Sequence, residues 1–195
     1  MIRKSRPSLF SDIQRLTTMG MLSAIGIVLA VTIHFTLLPG GPIKYDPADV
    51  PIFIGALMYG PLAGLFMTIV ICAVEMLIAS TSGLAGMIMH IAATGIAAIV
   101  IGCIYRAPRL NRKWAILSIA CGALAMTMLM IPLNLIVTPW FYGVPVSAVV
   151  GMLLPLIIPA NLIKAGVNGI IAFGLFEVLR IWLDAQGKRT NGSAA

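Results

Sequence analysis

Long runs of apolar residues, separated by short polar segments, dominate this sequence. A membrane-spanning helix needs about 20 consecutive apolar residues, and every one of the runs reaches that length. They cover residues 16–38, 50–80, 85–105, 114–138 and 146–183. The pattern therefore predicts a series of membrane helices rather than a sheet or a water-soluble bundle.

Two of the runs are too long for one crossing, and each contains residues that break a helix. Gly60-Pro61 divides the second run into a short helix and a longer one. Pro155 and Pro159 predict a loop or a broken start in the last run, with its main helix beginning at about Ala160.

These divisions predict an all-α integral membrane protein with six transmembrane helices. One membrane domain covers residues 1–195, in which residues 1–15 form a basic N-terminal segment and residues 184–195 form a tail. The six-helix bundle itself is expected over about 16–183, with a kink at Pro132 in the fifth helix. The sequence contains no convincing internal repeat, so nothing favours an inverted-repeat secondary transporter.

Composition supports the membrane assignment. Hydrophobic residues make up 60% of the 195 residues and charged residues only 10%, whereas a typical soluble domain is about one quarter charged. The three cysteines lie inside apolar runs without metal-binding spacing, so they are interpreted as small hydrophobic residues. The first run is too long for the core of a signal peptide and follows a long polar start, so no cleavable signal is expected.

The basic residues indicate the orientation of the bundle. All but two of the 13 lysines and arginines fall in three segments, which six crossings place on the same side of the membrane. The segments contain Arg3, Lys4, Arg6 and Arg15; Arg106, Arg109, Arg112 and Lys113; and Arg180, Lys188 and Arg189. The positive-inside rule then predicts that both termini are cytoplasmic. The net charge of +7 is accordingly assigned to membrane orientation and not to nucleic-acid binding.

Several polar residues occur at membrane depth, where an unpaired charge costs a few kcal/mol. Asn161, Lys164 and Asn168 share one face of the last helix, and Asn134 offers another amide in the fifth. Amides and an ammonium suit a neutral, planar ligand rich in carbonyl groups. The structural alternatives are hydrogen bonding between helices and, for Lys164, an ion pair with Glu75.

Other residues allow both a functional and a structural interpretation. Trp140, Phe141 and Tyr142 are either part of an aromatic belt or a stacking lid over a ring-shaped ligand. His34 and His90 lack metal-ligand spacing, and His90 is interpreted as a packed, hydrogen-bonded histidine. No nucleotide-binding, nucleophile or paired-carboxylate motif is present, so the chain is predicted not to be an enzyme.

Small residues recur four positions apart in the first helix, where Gly20 pairs with Ala24 and Gly26 with Ala30. Such spacing lets another helix approach closely. Either the helix packs inside the domain through these residues, or it uses them to dock a partner protein. One face of the helix must pack inside the bundle, so only one of the two pairs is expected to dock a partner.

Three stretches together resemble the riboflavin-binding S components of energy-coupling factor (ECF) transporters, the RibU/FmnP-type family. They read YDPADVPIFIGALMYGPLAG from Tyr45, AMTMLMIPLNLIVTPWFYG from Ala125 and LLPLIIPANLIKAGV from Leu153. The resemblance implies a six-helix vitamin binder in the bacterial plasma membrane, which captures riboflavin from outside as transported ligand and needs no cofactor or metal. It also implies a transmembrane coupling subunit and two ATPase subunits as partners.

The resemblance assigns roles to individual residues. Asn134, Asn161 and Lys164 fall on positions that contact the isoalloxazine ring, and Tyr45 and Asp46 are candidates for a lid. Trp140 and Tyr142 are counted among the candidate substrate-binding residues. Asp49 is expected to cap the second helix, in a loop shaped by Pro47 and Pro51.

The chain departs from the family pattern at several positions. The third helix has Thr68, Ile71 and Cys72 where a Glu and a Lys-Asn pair are common, and His90 replaces an Asn of the fourth helix. These differences leave the identity of the vitamin undecided, with a pantothenate- or pyridoxine-type compound as the alternative to riboflavin. A membrane enzyme or a scaffold without a small ligand is the alternative from a different class.

Overall fold

The computed structural model describes residues 12–33, 35–36, 44–78, 83–105 and 111–192, with side chains as far as Trp182. The helices are α1 Asp12–Thr32, α2 Asp49–Tyr59, α3 Pro61–Ile78, α4 Gly83–Tyr105, α5 Arg112–Tyr142, α6 Val146–Met152 and α7 Ile158–Gly192. Two short strands, β1 Phe35–Thr36 and β2 Lys44–Tyr45, pair antiparallel. The all-α prediction is therefore confirmed, apart from this two-residue ribbon.

Some sequence predictions lie outside the described residues. They concern His34, the basic residues Arg3, Lys4 and Arg6 of the N-terminal segment, and Arg106 and Arg109 between α4 and α5. The side chains of Lys44, Lys188 and Arg189 also lie outside the described set.

Five helical segments are long and apolar enough to cross a bilayer: α1, α3, α4, α5 and the continuous run from Val146 to Trp182. Helix α2 has 11 residues, which corresponds to about 16 Å and is shorter than the hydrocarbon core of a bilayer. Every residue from Asp49 to Leu57 is nevertheless buried. Helix α2 lies at the centre of the domain, in contact with α1, α3, α4 and α7.

The break between α2 and α3 lies where Gly60-Pro61 predicts it. Gly60 has a φ of +97°, a backbone conformation that favours glycine. Gly102 of α4 faces this turn, and a Cβ there would lie 2.6 Å from Cα of Pro61. The turn can therefore approach α4 only because that helix has glycine at position 102.

The first helix ends earlier than its apolar run suggests. A single helix over 16–38 is wrong, because α1 ends at Thr32 and β1 follows. In the ribbon Phe35 pairs with Tyr45, so cross-strand hydrogen bonds satisfy backbone groups that a longer helix would have paired internally.

Two of the apolar runs contain prolines inside their helices, and the backbone around the prolines differs between them. Helix α5 continues through Pro132 and Pro139 and ends at Gly143, which has a left-handed φ of +65°. The loop or break predicted in the last run is wrong, because the chain stays helical from α6 into α7. Pro155 instead lies in a π-helical turn over Leu153–Ile157 that joins them. The N–H of Ile158 donates to the carbonyl of Leu153, five residues back, and this wider turn accommodates the proline, which has no N–H to donate.

Candidate functional site

The two ends of the bundle differ in chemistry. At one end the guanidinium of Arg15 donates to the carbonyl of Tyr59 at 2.9 Å, which places the start of α1 beside the end of α2. Arg112, at the start of α5, lies 5.5 Å from the ring centre of Phe173 at the same end. The opposite end is built where α2, α4 and α7 begin and α3 finishes. Acidic and basic side chains meet there and form a polar cluster: Asp46, Asp49, Glu75, His90 and Lys164.

Asp49 is the centre of this polar cluster. It is the first residue of α2 and its side chain is fully buried. Its Oδ1 accepts from the Thr94 hydroxyl at 2.9 Å and lies 3.1 Å from Nε2 of His90. Its Oδ2 lies 3.3 Å from Nζ of Lys164 and accepts from the Asn168 amide at 3.2 Å. A buried carboxylate is tolerated here because each oxygen has both a hydrogen-bond donor and a basic side chain nearby.

Asn168 joins the segment before α2 to α7. Its amide nitrogen donates to the carbonyl of Asp46 at 2.8 Å, in addition to Asp49. Its Oδ1 accepts from the Tyr45 hydroxyl at 2.6 Å. Burial, and secondarily the charge of Asp49, raise the pKa of the Tyr45 phenol, so this group remains a hydrogen-bond donor at physiological pH.

His90 connects the cluster to α3. Its Nδ1 lies 3.4 Å from Oε2 of Glu75, and its Nε2 faces Asp49. Nζ of Lys164 lies 3.5 Å from that same Nε2. The interpretation of His90 as a packed, hydrogen-bonded histidine is confirmed, although its neighbours are charged rather than apolar.

One structural alternative and one expectation for this cluster are wrong. Lys164 pairs with Asp49, on α2, and not with Glu75. Asp49 does not cap its helix, because Ala48 occupies the N-cap position without a side-chain cap. Instead, Asp46 organises the turn by accepting the N–H of Ala48 at 2.8 Å. Asp49 is thereby available to compensate the charge of Lys164.

The predicted amides have local partners. Asn161 is buried and donates to the carbonyl of Ile157. Asn134 donates to the carbonyl of Met130, and its oxygen lies 3.3 Å from the Thr138 hydroxyl, which donates to it. Asn161 lies one helical turn before Lys164, while Asn134 is on the neighbouring helix α5.

The aromatic residues at the end of α5 lie on the surface. Trp140 is 84% exposed and Tyr142 51% exposed. Phe141 packs edge-to-face on Tyr142 and lies close to Gly83, at the start of α4. These rings are therefore at the same end of the bundle as the polar cluster.

The two small-residue pairs of α1 differ in burial. Gly26 and Ala30 are buried, and a Cβ on Gly26 would lie 2.6 Å from Cδ1 of Ile71. Gly20 and Ala24 instead face an apolar groove between α1 and α3. This groove, called the α1–α3 groove below, is lined by Leu16, Met19, Gly20, Ser23, Ala24, Ile27, Phe66 and Val70.

The contacts of two residues with Asp49 could not be predicted from the sequence. Thr94 and His90 stand on α4, more than 40 positions from Asp49, and nothing in their spacing links them to it. The sequence feature that could have located the cluster is the pair of aspartates, Asp46 and Asp49, at the start of an otherwise apolar helix.

A bundle of apolar helices with a buried charged and amide cluster at one end has the architecture of a membrane protein that binds a polar solute. The chain belongs to the family described as ECF transporter, substrate-specific component, whose model matches residues 14–178. It is thus a multi-pass protein of the cell membrane and part of a transporter rather than an enzyme.

Individual relatives support this assignment. The chain is 31% identical, over 190 residues, to the riboflavin transporter FmnP of Bacillus subtilis (strain 168), covering 89% of this chain and 96% of that protein. A solved S component of a bacterial ECF transporter superimposes with a TM-score of 0.76 at 29% identity, covering 89% of this chain and 99% of that one. The S component for biotin from an ECF-type transporter shares the fold, with a TM-score of 0.58 at 15% identity over 86% of this chain and 95% of its own.

Proposed function

We propose that this S component binds riboflavin, or a close flavin, at the end of the bundle that contains the polar cluster. The observation that carries the proposal is a buried lysine, Lys164, on the same helix face as Asn161, in a chain similar to a riboflavin transporter over nearly its whole length. An ammonium and an amide can donate to the carbonyl oxygens and ring nitrogens of an isoalloxazine.

The binding end faces outward in this proposal. Arg15, Arg112 and Arg180 belong to the opposite end of the bundle, and the positive-inside rule assigns that end to the cytoplasm. With α2 counted as a short sixth crossing, both termini are cytoplasmic and the polar cluster is near the outer surface. Tyr45 and Asp46 then lie between the site and the external medium, as a lid requires.

Transport itself requires partner subunits. An S component has no nucleotide-binding motif, so the energy for uptake comes from two ATPases through a transmembrane coupling subunit. The α1–α3 groove is the candidate docking surface for that subunit, because Gly20 and Ala24 leave room for a helix to approach. Gly26 and Ala30 have a different role, since they pack α1 against the rest of the domain.

A fluorescence titration tests the choice of ligand. Purified protein is added to riboflavin, and we expect saturable quenching at one flavin per chain, because an isoalloxazine ring that stacks on an aromatic side chain in a closed pocket loses much of its emission. The absence of quenching, together with heat release on addition of pantothenate or pyridoxine in a calorimeter, would assign the protein to another vitamin. Riboflavin uptake by the isolated chain in liposomes would contradict the requirement for ATPase partners.

A further inference from the structure

A thiol, a carboxylate and an imidazole meet between α3 and α4, where Cys72 adjoins Glu75 and His90 of the polar cluster. Cys72 and Glu75 stand three residues apart on one face of α3, and His90 faces them from α4. One ligand atom from each residue lies within 4.8 Å of the others. We propose that Cys72, Glu75 and His90 form a binding site for a divalent transition-metal ion of the zinc class.

The distances suit such an ion. Zinc bonds of about 2.0–2.1 Å to nitrogen and oxygen and about 2.3 Å to sulfur place tetrahedral ligand atoms roughly 3.3–3.6 Å apart. Oε2 of Glu75 and Nδ1 of His90 are already 3.4 Å apart. If Sγ of Cys72 moves about 1 Å toward these two atoms, all three ligand atoms have the separations that zinc requires. The fourth position is left for water or a solute.

The orientation of His90 is the one that a metal-bound histidine requires. A ligating imidazole usually donates its other N–H to a carboxylate, which fixes the ring and its tautomer. In this site Nδ1 faces Glu75, while Nε2 lies 3.1 Å from Oδ1 of the fully buried Asp49. Lys164 also lies on the Nε2 side, at 3.5 Å, so its positive charge does not occupy the metal position.

The charge of the surroundings also favours a cation. Three carboxylates, from Asp46, Asp49 and Glu75, each lie within 3.7 Å of a ring nitrogen of His90, and Lys164 adds one ammonium beside Asp49. Uncompensated negative charge is costly in a buried site. With His90 neutral, the three carboxylates exceed Lys164 by two negative charges, which a divalent ion balances, and with Cys72 as a thiolate the ion reduces the excess from three to one. The Glu75 side chain is 25% exposed, which gives an ion a path from the surface, whereas Cys72 is buried.

The experiment uses full-length, untagged protein in detergent, stripped of metal by a chelator and titrated with Co²⁺. A cobalt–thiolate bond gives an intense charge-transfer absorption in the near ultraviolet. We expect this band to saturate at one Co²⁺ per chain and to disappear when Zn²⁺ is added, because zinc binds such sites more tightly than cobalt.

Matched variants assign the band to these residues. Cys72→Ser and His90→Gln should abolish it, whereas Cys103→Ser and Cys121→Ser, which leave Cys72 intact, should retain it. Size-exclusion profiles and helical circular dichroism establish that the variants are folded. If Cys72→Ser does not fold, X-ray absorption of the zinc-loaded wild type replaces it, and one sulfur neighbour is expected. A missing band, a band that survives Cys72→Ser, or a sulfur-free zinc shell overturns the proposal.

Discussion

The ammonium of Lys164 lies 3.3 Å from Oδ2 of Asp49, across the contact between α7 and the first residue of α2. Both side chains are buried, so neither charge is compensated by water. A ligand that uses Lys164 as a donor must therefore share it with Asp49. Ligand binding and the packing of α2 are coupled through this pair.

The first prediction concerns Lys164. Lys164→Ala should weaken riboflavin binding about ten- to a hundredfold, because a hydrogen bond to a charged group contributes about 1.5–3 kcal/mol. Fluorescence titration gives the dissociation constant, and the melting temperature of the ligand-free protein is measured in parallel. Lys113→Ala is the control, since Lys113 is exposed at the opposite end of the bundle. A lower melting temperature with an unchanged dissociation constant would make Lys164 purely structural.

The second prediction concerns the bond between Tyr45 and Asn168. Tyr45→Phe removes a 2.6 Å hydrogen bond and should destabilise the folded protein by about 1 kcal/mol. We expect flavin to dissociate several-fold faster, as measured by stopped-flow fluorescence, because the segment before α2 is less firmly held to α7. An unchanged dissociation rate would exclude this segment as a lid.

The same residue gives a pH dependence. Its pKa is raised in the folded protein, so its contribution to stability is complete below the ordinary tyrosine pKa of about 10 and is lost as the pH rises through the folded-state value. The difference in melting temperature between wild type and Tyr45→Phe should therefore shrink above about pH 10. A constant difference would indicate that the phenol is not shielded from ionisation.

The third prediction separates the two faces of α1. Ala24→Trp fills the α1–α3 groove and should abolish cellular uptake while leaving vitamin binding intact. Ala30→Trp should instead impair folding, because Ala30 is only 5% exposed. Val28→Trp is the matched control, since Val28 is on the surface of α1 but outside the groove. Normal uptake by Ala24→Trp would exclude this groove as the docking surface.

The fourth prediction concerns the contact between α4 and the α2–α3 turn. Gly102→Ala should destabilise the protein by about 1–3 kcal/mol or more, because its methyl group would meet the backbone of Gly60 and Pro61, which cannot rotate away. Gly166→Ala is the control, as no atom beyond its chain neighbours and the adjacent backbone of its own helix lies within 4 Å of a Cβ there. Thermal unfolding compares the two, and equal melting temperatures would contradict the tight turn.

The sequence by itself determined the class of protein and most helix positions. The length of an apolar run and the presence of Gly60-Pro61 or Pro155 act locally, since they set which backbone hydrogen bonds can form within a few residues. The end of α1 was not predictable in this way, because the ribbon that follows it pairs residues eight to ten positions apart.

The tertiary structure decided the partners within the cluster. Asp49 and Glu75 are both carboxylates at the same end of the bundle, and a hydrophobic pattern specifies which face of a helix is buried but not which side chain it meets. The packing of α2, α3, α4 and α7 brings Asp49 to Lys164 and Cys72 close to His90. Packing also decides which small-residue pair of α1 is accessible. Both pairs have the same spacing, but α2 and α3 cover Gly26 and Ala30 and leave Gly20 and Ala24 exposed.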